Sequence, residues 1–517
     1  MKVWMIGIIA FLAVGSAWAE LRLPVVFSDG MVLQRDQKVA VWGWADPGAE
    51  VTVSFGGQEK IAKAGKDGRF MVKLKKMKAS AEPKVLKITS GTESKAIKNI
   101  LVGEVWLCSG QSNMAMTVGK SDNFEKEQAA ANHPLIRMFI NERNVSLEPL
   151  DDCTGAWNVC TPETVGGFSA AAYFFGREIQ QELDVPVGLI HTSWGGTRIE
   201  SWSPMASLEQ FPLVMESKAK QDQWAANFTE ERSKKQYVEA VAKWESAVKK
   251  AKANGKKGPK KPKKSTHPHK SQNYPANLYN AMINPFVPYG IRGAIWYQGE
   301  ANAHSIKEAM LYRDLLENLA TEWRKDWGSK FPFYAVQLVN YKKPQVAPVE
   351  DTGWVFIRES FLNFHKEVPN AGIAVTIDIG MEKNIHPTNK QAVGYRLAQQ
   401  ALAKTYGKDI VAGGPIYKSM KKDGNKIAIK FDDIGSGLVE QGGTPLKTFA
   451  IAGADQKFVA AQAAIVDGAV VVSSTEVADP VAVRYAWADN PVGCNLFNKE
   501  GFPASPFRTD DWAPTGE

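Results

Sequence analysis

Cysteine is scarce in this chain, with four in 517 residues. So few cannot form the disulfide framework of an exported protein this long. Cys153 and Cys160 flank a six-residue loop and have a spacing that permits a bond. Cys108 reads as a buried thiol, and Cys494 has no obvious partner. None has zinc-ligand spacing, so no metal is expected. Long apolar runs are also missing, apart from residues 4–14. That run is short for a membrane span. Lys2 precedes it and Ala17-Trp18-Ala19 follows, which makes residues 1–19 a cleavable export signal. A secreted or periplasmic protein beginning near Glu20 is expected. No Cys stands beside the cleavage site to carry a lipid anchor.

Acidic residues are absent from residues 249–270, which hold ten Lys. The whole chain carries +8, so without this segment the net charge is −2. The basic character is therefore one local patch. Such a patch can touch acidic polysaccharide, nucleic acid or a membrane surface. A solvated loop is the preferred reading, and neither a nucleic-acid nor a membrane partner is expected. The oligomeric state is open. The sixteen Trp suit sugar stacking and large cores equally.

Length implies two to four domains. Residues 20–102 read as short alternating strands, such as 39–44, 50–55, 69–74 and 84–89. Turns such as Asp46-Pro47-Gly48 and Lys66-Asp67-Gly68 separate them, as in a small β-sandwich. Residues 103–412 alternate strand and helix. Strands are expected at 105–108, 185–190, 291–297, 331–338 and 371–378, and helices at 169–183, 307–327, 354–367 and 389–406. This is the pattern of an α/β domain with a mostly parallel sheet covered on both faces. A polar, helical, Lys-rich insertion interrupts it at about 207–272, with a mobile tip at 255–264. Residues 413–517 return to β, with strands at 426–431, 448–452, 469–473 and 481–487.

In a parallel sheet every strand delivers its following loop to the same edge. Those loops contain Ser112, Gly195 and Gly196, Gln298 and Glu300, Asn340, and Asp378 with His386 beyond it. A serine nucleophile, a histidine base and amide donors are what acyl transfer needs. Ser112 stands in Gly110-Gln111-Ser112-Asn113-Met114, so the G-x-S-x-G elbow is absent. Ser193 is its rival. His386, in a loop just before a helix, is the preferred base, ahead of His304 and then His191. His267 and His269 lie in the basic loop, His365 on a helix, and His133 before a proline. The oxyanion donors would be the Ser112 N–H, an N–H of Gly195 or Gly196, and the Gln298 amide. Taken singly, each also has a structural reading as a turn, a cap or a core residue.

Gly110-Gln111-Ser112-Asn113, Trp194-Gly195-Gly196-Thr197 with Glu200-Ser201-Trp202, Trp296-Tyr297-Gln298-Gly299-Glu300, and Ile385-His386-Pro387-x-Asn389-Lys390 occur in this order. Together they resemble the sialate O-acetylesterase family, whose core is similar to the wider SGNH-hydrolase group. Phe27-Ser28-Asp29-Gly30-Met31-Val32-Leu33-Gln34 and Arg484-Tyr485-Ala486-Trp487 look like further landmarks of it. The resemblance implies a three-layer SGNH/flavodoxin-like core flanked by two β modules. It implies a cofactor-free serine esterase acting on O-acetylated sugars, with Ser112 as nucleophile and His386 as base. Sialate O-acetyl esters, the family's namesake, are the expected substrate, and acetylated plant polysaccharide such as xylan is the alternative.

SGNH enzymes often carry an Asp three residues before the His, but that position is Lys383 here. Asp378 and Glu382 are therefore the candidate orienting carboxylates, with a Ser–His dyad as the alternative. Arg198 is a candidate for pairing with a sugar carboxylate, and Asn113 and Glu300 are candidate substrate contacts. A different class, a non-catalytic carbohydrate-binding protein, fits the Trp content but not the intact Ser, His and Gln motifs.

Overall fold

The computed structural model describes residues 20–443 and 445–515. The export signal expected at 1–19 lies outside the described residues. The central sheet is built on β1 (Glu93–Gly110), an 18-residue strand. Its partners in chain order are β2 (His133–Asn141), β3 (Gly155–Cys160), β4 (Val187–Ser193), β5 (Gly293–Tyr297), β6 (Phe333–Val336) and β7 (Ala371–Ala374). Their spatial order is β7-β6-β5-β1-β4-β2-β3. All pairings are parallel except β2 with β3.

The strand residues alternate between two apolar layers, as a pleat requires. Val105, Leu107, Trp296, Phe333 and Ala335 face one layer. That layer is covered by the helices Ile306–Asp326 and Gly353–Glu367. Trp106, Cys108, Ile295, Tyr297, Tyr334 and Val336 face the other. The helices Ala170–Leu183 and Lys390–Lys404 cover that side. The expected three-layer architecture is thus present. Strands β2 and β3 are additions to the sequence reading.

The expected division at 102/103 falls inside one continuous strand. The first part of β1 pairs with Ser80–Ser90 of the N-terminal module. Its last residues pair with β4 and β5 in the core. Where the two parts meet, the fully buried Glu104 carboxylate accepts from Arg35 Nε (2.5 Å) and Arg292 Nε (2.7 Å). Burying that charge is tolerable because both oxygens are paired.

The C-terminal module contains two four-stranded antiparallel arrangements. It is joined to the core by Arg358, which is fully buried. Its guanidinium donates to the carbonyls of Leu338 and Val339 in the core and of Ala488 and Asp489 in the module. The ends of β6 and of that module are thereby held by one side chain.

All four cysteines are free thiols, so the Cys153–Cys160 bond that the spacing permits is not formed. Burial pushes both of these thiols up to about 12. The insertion contains the helix Glu230–Ala253. Its Lys-rich return packs back on that helix: Trp244 Nε1 donates to Pro259 O (2.7 Å) and Ser233 Oγ to Ser265 O (2.7 Å). The tip read from sequence as mobile is therefore tethered. No helix among the described residues is long and apolar enough to cross a membrane.

Candidate active site

Strand β1 ends at Gly110, whose φ is +140°. A Cβ there would stand 2.2 Å from Tyr297 O, so only glycine lets the chain turn this close to β5. Gln111 follows and is buried. Its N–H donates to Tyr297 O (2.9 Å), and its Oε1 accepts from the Ala301 N–H (3.2 Å). Ser112 then opens the short helix Ser112–Ala115. Ser169 holds that helix from behind: its Oγ donates to Met114 O (2.7 Å) and accepts from Ala172 N–H at the start of Ala170–Leu183. Ser112 is thus fixed between one core helix, Ala170–Leu183, and the strands β1 and β5.

Ser112 and His386 line one cleft of about 650 Å³. They share it with Ala115, Met116, Trp194, Gly195, Asn384 and Thr388. The cations Lys120, Arg143 and Lys263 and the side chain of Gln272 complete the wall. Gly195 lies against the serine, where an added Cβ would be 3.2 Å from Ser112 Cβ. Among the described residues, the backbone N–H groups of Ser112 and Gly195 donate to no protein acceptor. Gly196, in contrast, is exposed with φ +73° and does not line the cleft.

The His386 loop is held at three points. Gly380 N–H donates to Asn340 Oδ1 (2.7 Å), His386 N–H to Asn384 Oδ1 (3.0 Å), and Asp122 N–H to Thr388 O (2.9 Å). Partial burial and the nearby Lys390 and Lys120 hold the imidazole below the ordinary histidine range.

Beneath this pair runs a buried polar link. Lys390 Nζ donates to Asn113 Oδ1 (2.7 Å). Asn113 Nδ2 donates to Glu300 Oε1 (2.5 Å) and to Ile385 O (3.0 Å). The residue after Ser112 therefore grips the residue before His386. Burial pulls the Lys390 ammonium down to about 7 and pushes the Glu300 carboxyl up. Lys390 also sits over the Tyr297 ring, 4.9 Å from its centroid.

Several expected site residues stand elsewhere. Asn113 and Glu300 are 1% and 7% exposed and do not line the cleft; they brace the loops. Gln298 is fully buried. Its Nε2 donates to Thr197 O (3.0 Å) and Asn302 Oδ1 (2.9 Å), and its Oε1 accepts from Tyr312 OH (2.9 Å). With both amide hydrogens used, it holds the Thr197 loop. Arg198 pairs with Glu200 (2.6 Å) and Glu308 (3.0 Å) and lines a separate cavity. Asp378 forms a two-pronged pair with Arg396 (2.6 and 2.7 Å). Glu382 is exposed, and among the described residues no carboxylate is hydrogen-bonded to the His386 ring. The rival His191 and Ser193 do meet, Nε2 to Oγ, at 2.7 Å. That pair lies outside the cleft, and burial with Arg143 nearby pulls His191 down to about 4. His304 is exposed and also outside it. Lys120, Arg143 and Lys263 carried no sequence motif, whereas Lys390 stood at the end of the His386 motif. Among the described residues, no three His, Cys, Asp or Glu side chains are grouped to hold a metal ion.

A three-layer α/β core that presents a serine and a histidine at one edge of a parallel sheet is a hydrolase architecture. The model of a family described as carbohydrate esterase, sialic acid-specific acetylesterase, matches residues 102–255 and 265–403. The chain belongs to that family and is a carboxylic ester hydrolase. It is 32% identical to the sialate O-acetylesterase of Mus musculus over 450 residues, covering 78% of this chain and 77% of that protein. It is 30% identical to the Homo sapiens sialate O-acetylesterase over 438 residues, covering 78% and 74%. A solved carbohydrate acetylesterase from Xanthomonas citri superposes with a TM-score of 0.80 at 36% identity, covering 95% of this chain and all of that one.

Proposed function

We propose that this protein is an exported acetylesterase that removes O-acetyl groups from sugars through a Ser112–His386 dyad. The observation that carries the proposal is that both residues line one cleft beside Gly195 and two unused backbone N–H groups. Ser112 Oγ attacks the acetyl carbonyl carbon while His386 takes the hydroxyl proton. The resulting oxyanion accepts from the N–H groups of Ser112 and Gly195. Its collapse breaks the bond to the sugar oxygen, which leaves with the proton from His386. Water then attacks acetyl-Ser112, giving its proton to His386. Acetate departs and the serine is restored. The buried Asn113 link sets the relative position of the two groups, in place of a carboxylate on the imidazole.

Sialate O-acetyl esters are the proposed substrate, supported by the mouse and human relatives. Export is supported by Lys2, the apolar run at 4–14 and Ala17-Trp18-Ala19. Acetate release from O-acetylated sialic acid, measured beside acetylated xylan, tests the substrate. Release from the sialic acid is expected. Release from xylan alone moves the activity to neutral polysaccharide, and release from neither refutes the esterase reading.

A further inference from the structure

The cleft that holds Ser112 and His386 has a one-sided charge. Its lining carries Lys120, Arg143 and Lys263 and no carboxylate. Among the described residues, none of these three cations is in an ion pair. Lys263 comes from the insertion, far along the chain from the core strands. It is one of six lysines within residues 256–264, all of them exposed. Lys264 is paired with Glu230, and Lys261 lies over the Trp244 ring, 5.6 Å from its centroid. The bonds from Trp244 to Pro259 and from Ser233 to Ser265 hold this segment on its helix. The lysines therefore form an exposed basic ridge along this tethered segment, and one of them, Lys263, also lines the cleft. The family match stops at 255 and resumes at 265, so the ridge falls in the interval between its two parts.

We propose that this ridge is a track for a polyanionic glycan, a chain of carboxylate-bearing sugars whose acetyl ester enters the cleft while neighbouring carboxylates lie along Lys256, Lys257, Lys260 and Lys261. This rests on the acetylesterase reading and specifies its substrate as an acidic polymer. A glycan is favoured over nucleic acid or a membrane because Lys263 belongs to both ridge and cleft. A chain that lies on the ridge and enters the cleft past Lys263 must carry an ester at Ser112 to react. Each exposed lysine contributes little alone, but four acting on one chain change binding by about tenfold to hundredfold at low salt. Ions screen such contacts, so the advantage falls steeply with ionic strength.

The test is the full-length protein and its K256Q/K257Q/K260Q/K261Q variant. Both are assayed on acetylated polygalacturonate, acetylated xylan and 4-nitrophenyl acetate. Binding of unacetylated polygalacturonate is measured by calorimetry in parallel. The expected result is a tenfold or larger fall in kcat/KM on acetylated polygalacturonate relative to that on 4-nitrophenyl acetate. The fall lies mainly in KM and is absent for xylan, and calorimetric binding is lost with it. A proportional fall on the acidic and neutral polymers, or no fall on either, overturns the track. So does binding of duplex DNA more tightly than of polygalacturonate. If neither protein releases acetate from any substrate, the acetylesterase reading fails, whereas calorimetry still reports on the track.

Discussion

Replacing Asn113 by alanine removes the link between the nucleophile turn and the histidine loop. Three hydrogen bonds go: to Glu300 (2.5 Å), to Ile385 O (3.0 Å) and from Lys390 (2.7 Å). Two involve ionisable partners, where such bonds contribute about 1.5–3 kcal/mol each, and the third contributes about 1 kcal/mol. Burial drives Lys390 and Glu300 toward their neutral forms, which favours the low end of that range. The expected cost is therefore about 4 kcal/mol, within the range for breaking a buried pair. It is read as a lower urea midpoint for the transition of the core. Ile385 loses its anchor beside His386, and displacement of a reacting group by about 1 Å costs up to about 10² in rate. A fall in kcat of about 10- to 100-fold is expected, with KM changed by less than about threefold, because Asn113 is buried and does not line the cleft. A variant with an unchanged urea midpoint and kcat within about twofold of the parent would show that the link neither stabilises the site nor positions His386.

Two further outcomes follow from the electrostatics and the thiols. Lys120 helps hold His386 below the ordinary histidine range, since a positive neighbour disfavours the imidazolium. The base is then neutral, and competent, to lower pH than an unperturbed histidine. Removing the charge raises its pKa, so Lys120→Gln should move the acid limb of kcat/KM on 4-nitrophenyl acetate to higher pH; an unmoved limb would exclude His386 as the group read there. All four cysteines are free. Denatured, unreduced protein should thus yield four reactive thiols per chain with a disulfide-exchange reagent, and a yield of two would contradict the fold around Cys153 and Cys160.

The layered core was legible because its strands and helices have different apolar periods, and because buried parallel strands such as 291–297 are continuously apolar. Strand β2 was not, because His133, Pro134 and Arg137 interrupt its apolar run, while its pairing with β4 overrides that local signal. The boundary expected at 102/103 carries no break in the chain for a related reason: β1 satisfies its backbone from two different modules as one strand. Ser112, Gly195 and His386 were legible as a group because parallel strands deliver their loops to one edge. The same argument selected Asn113, Glu300, Gln298, Arg198 and Asp378, which lie in those loops but point into them. One sequence does not distinguish a polar residue facing a cleft from one bracing the next loop. That difference appears only with the partners, Lys390 for Asn113, Thr197 for Gln298 and Arg396 for Asp378. Lys263 shows the converse, a residue of a solvated-looking charge run that borders the cleft.

The central claim is that the Ser112 hydroxyl is the nucleophile, and acetate release by Ser112→Ala beside the parent tests it most directly. The account predicts a loss of at least about 10³-fold in kcat on O-acetylated sialic acid. Circular dichroism and the urea midpoint should be unchanged, because among the described residues no hydrogen bond is made by the half-buried Ser112 hydroxyl. Acetate release near the parental rate from the folded variant would contradict it and return the assignment to Ser193 and His191.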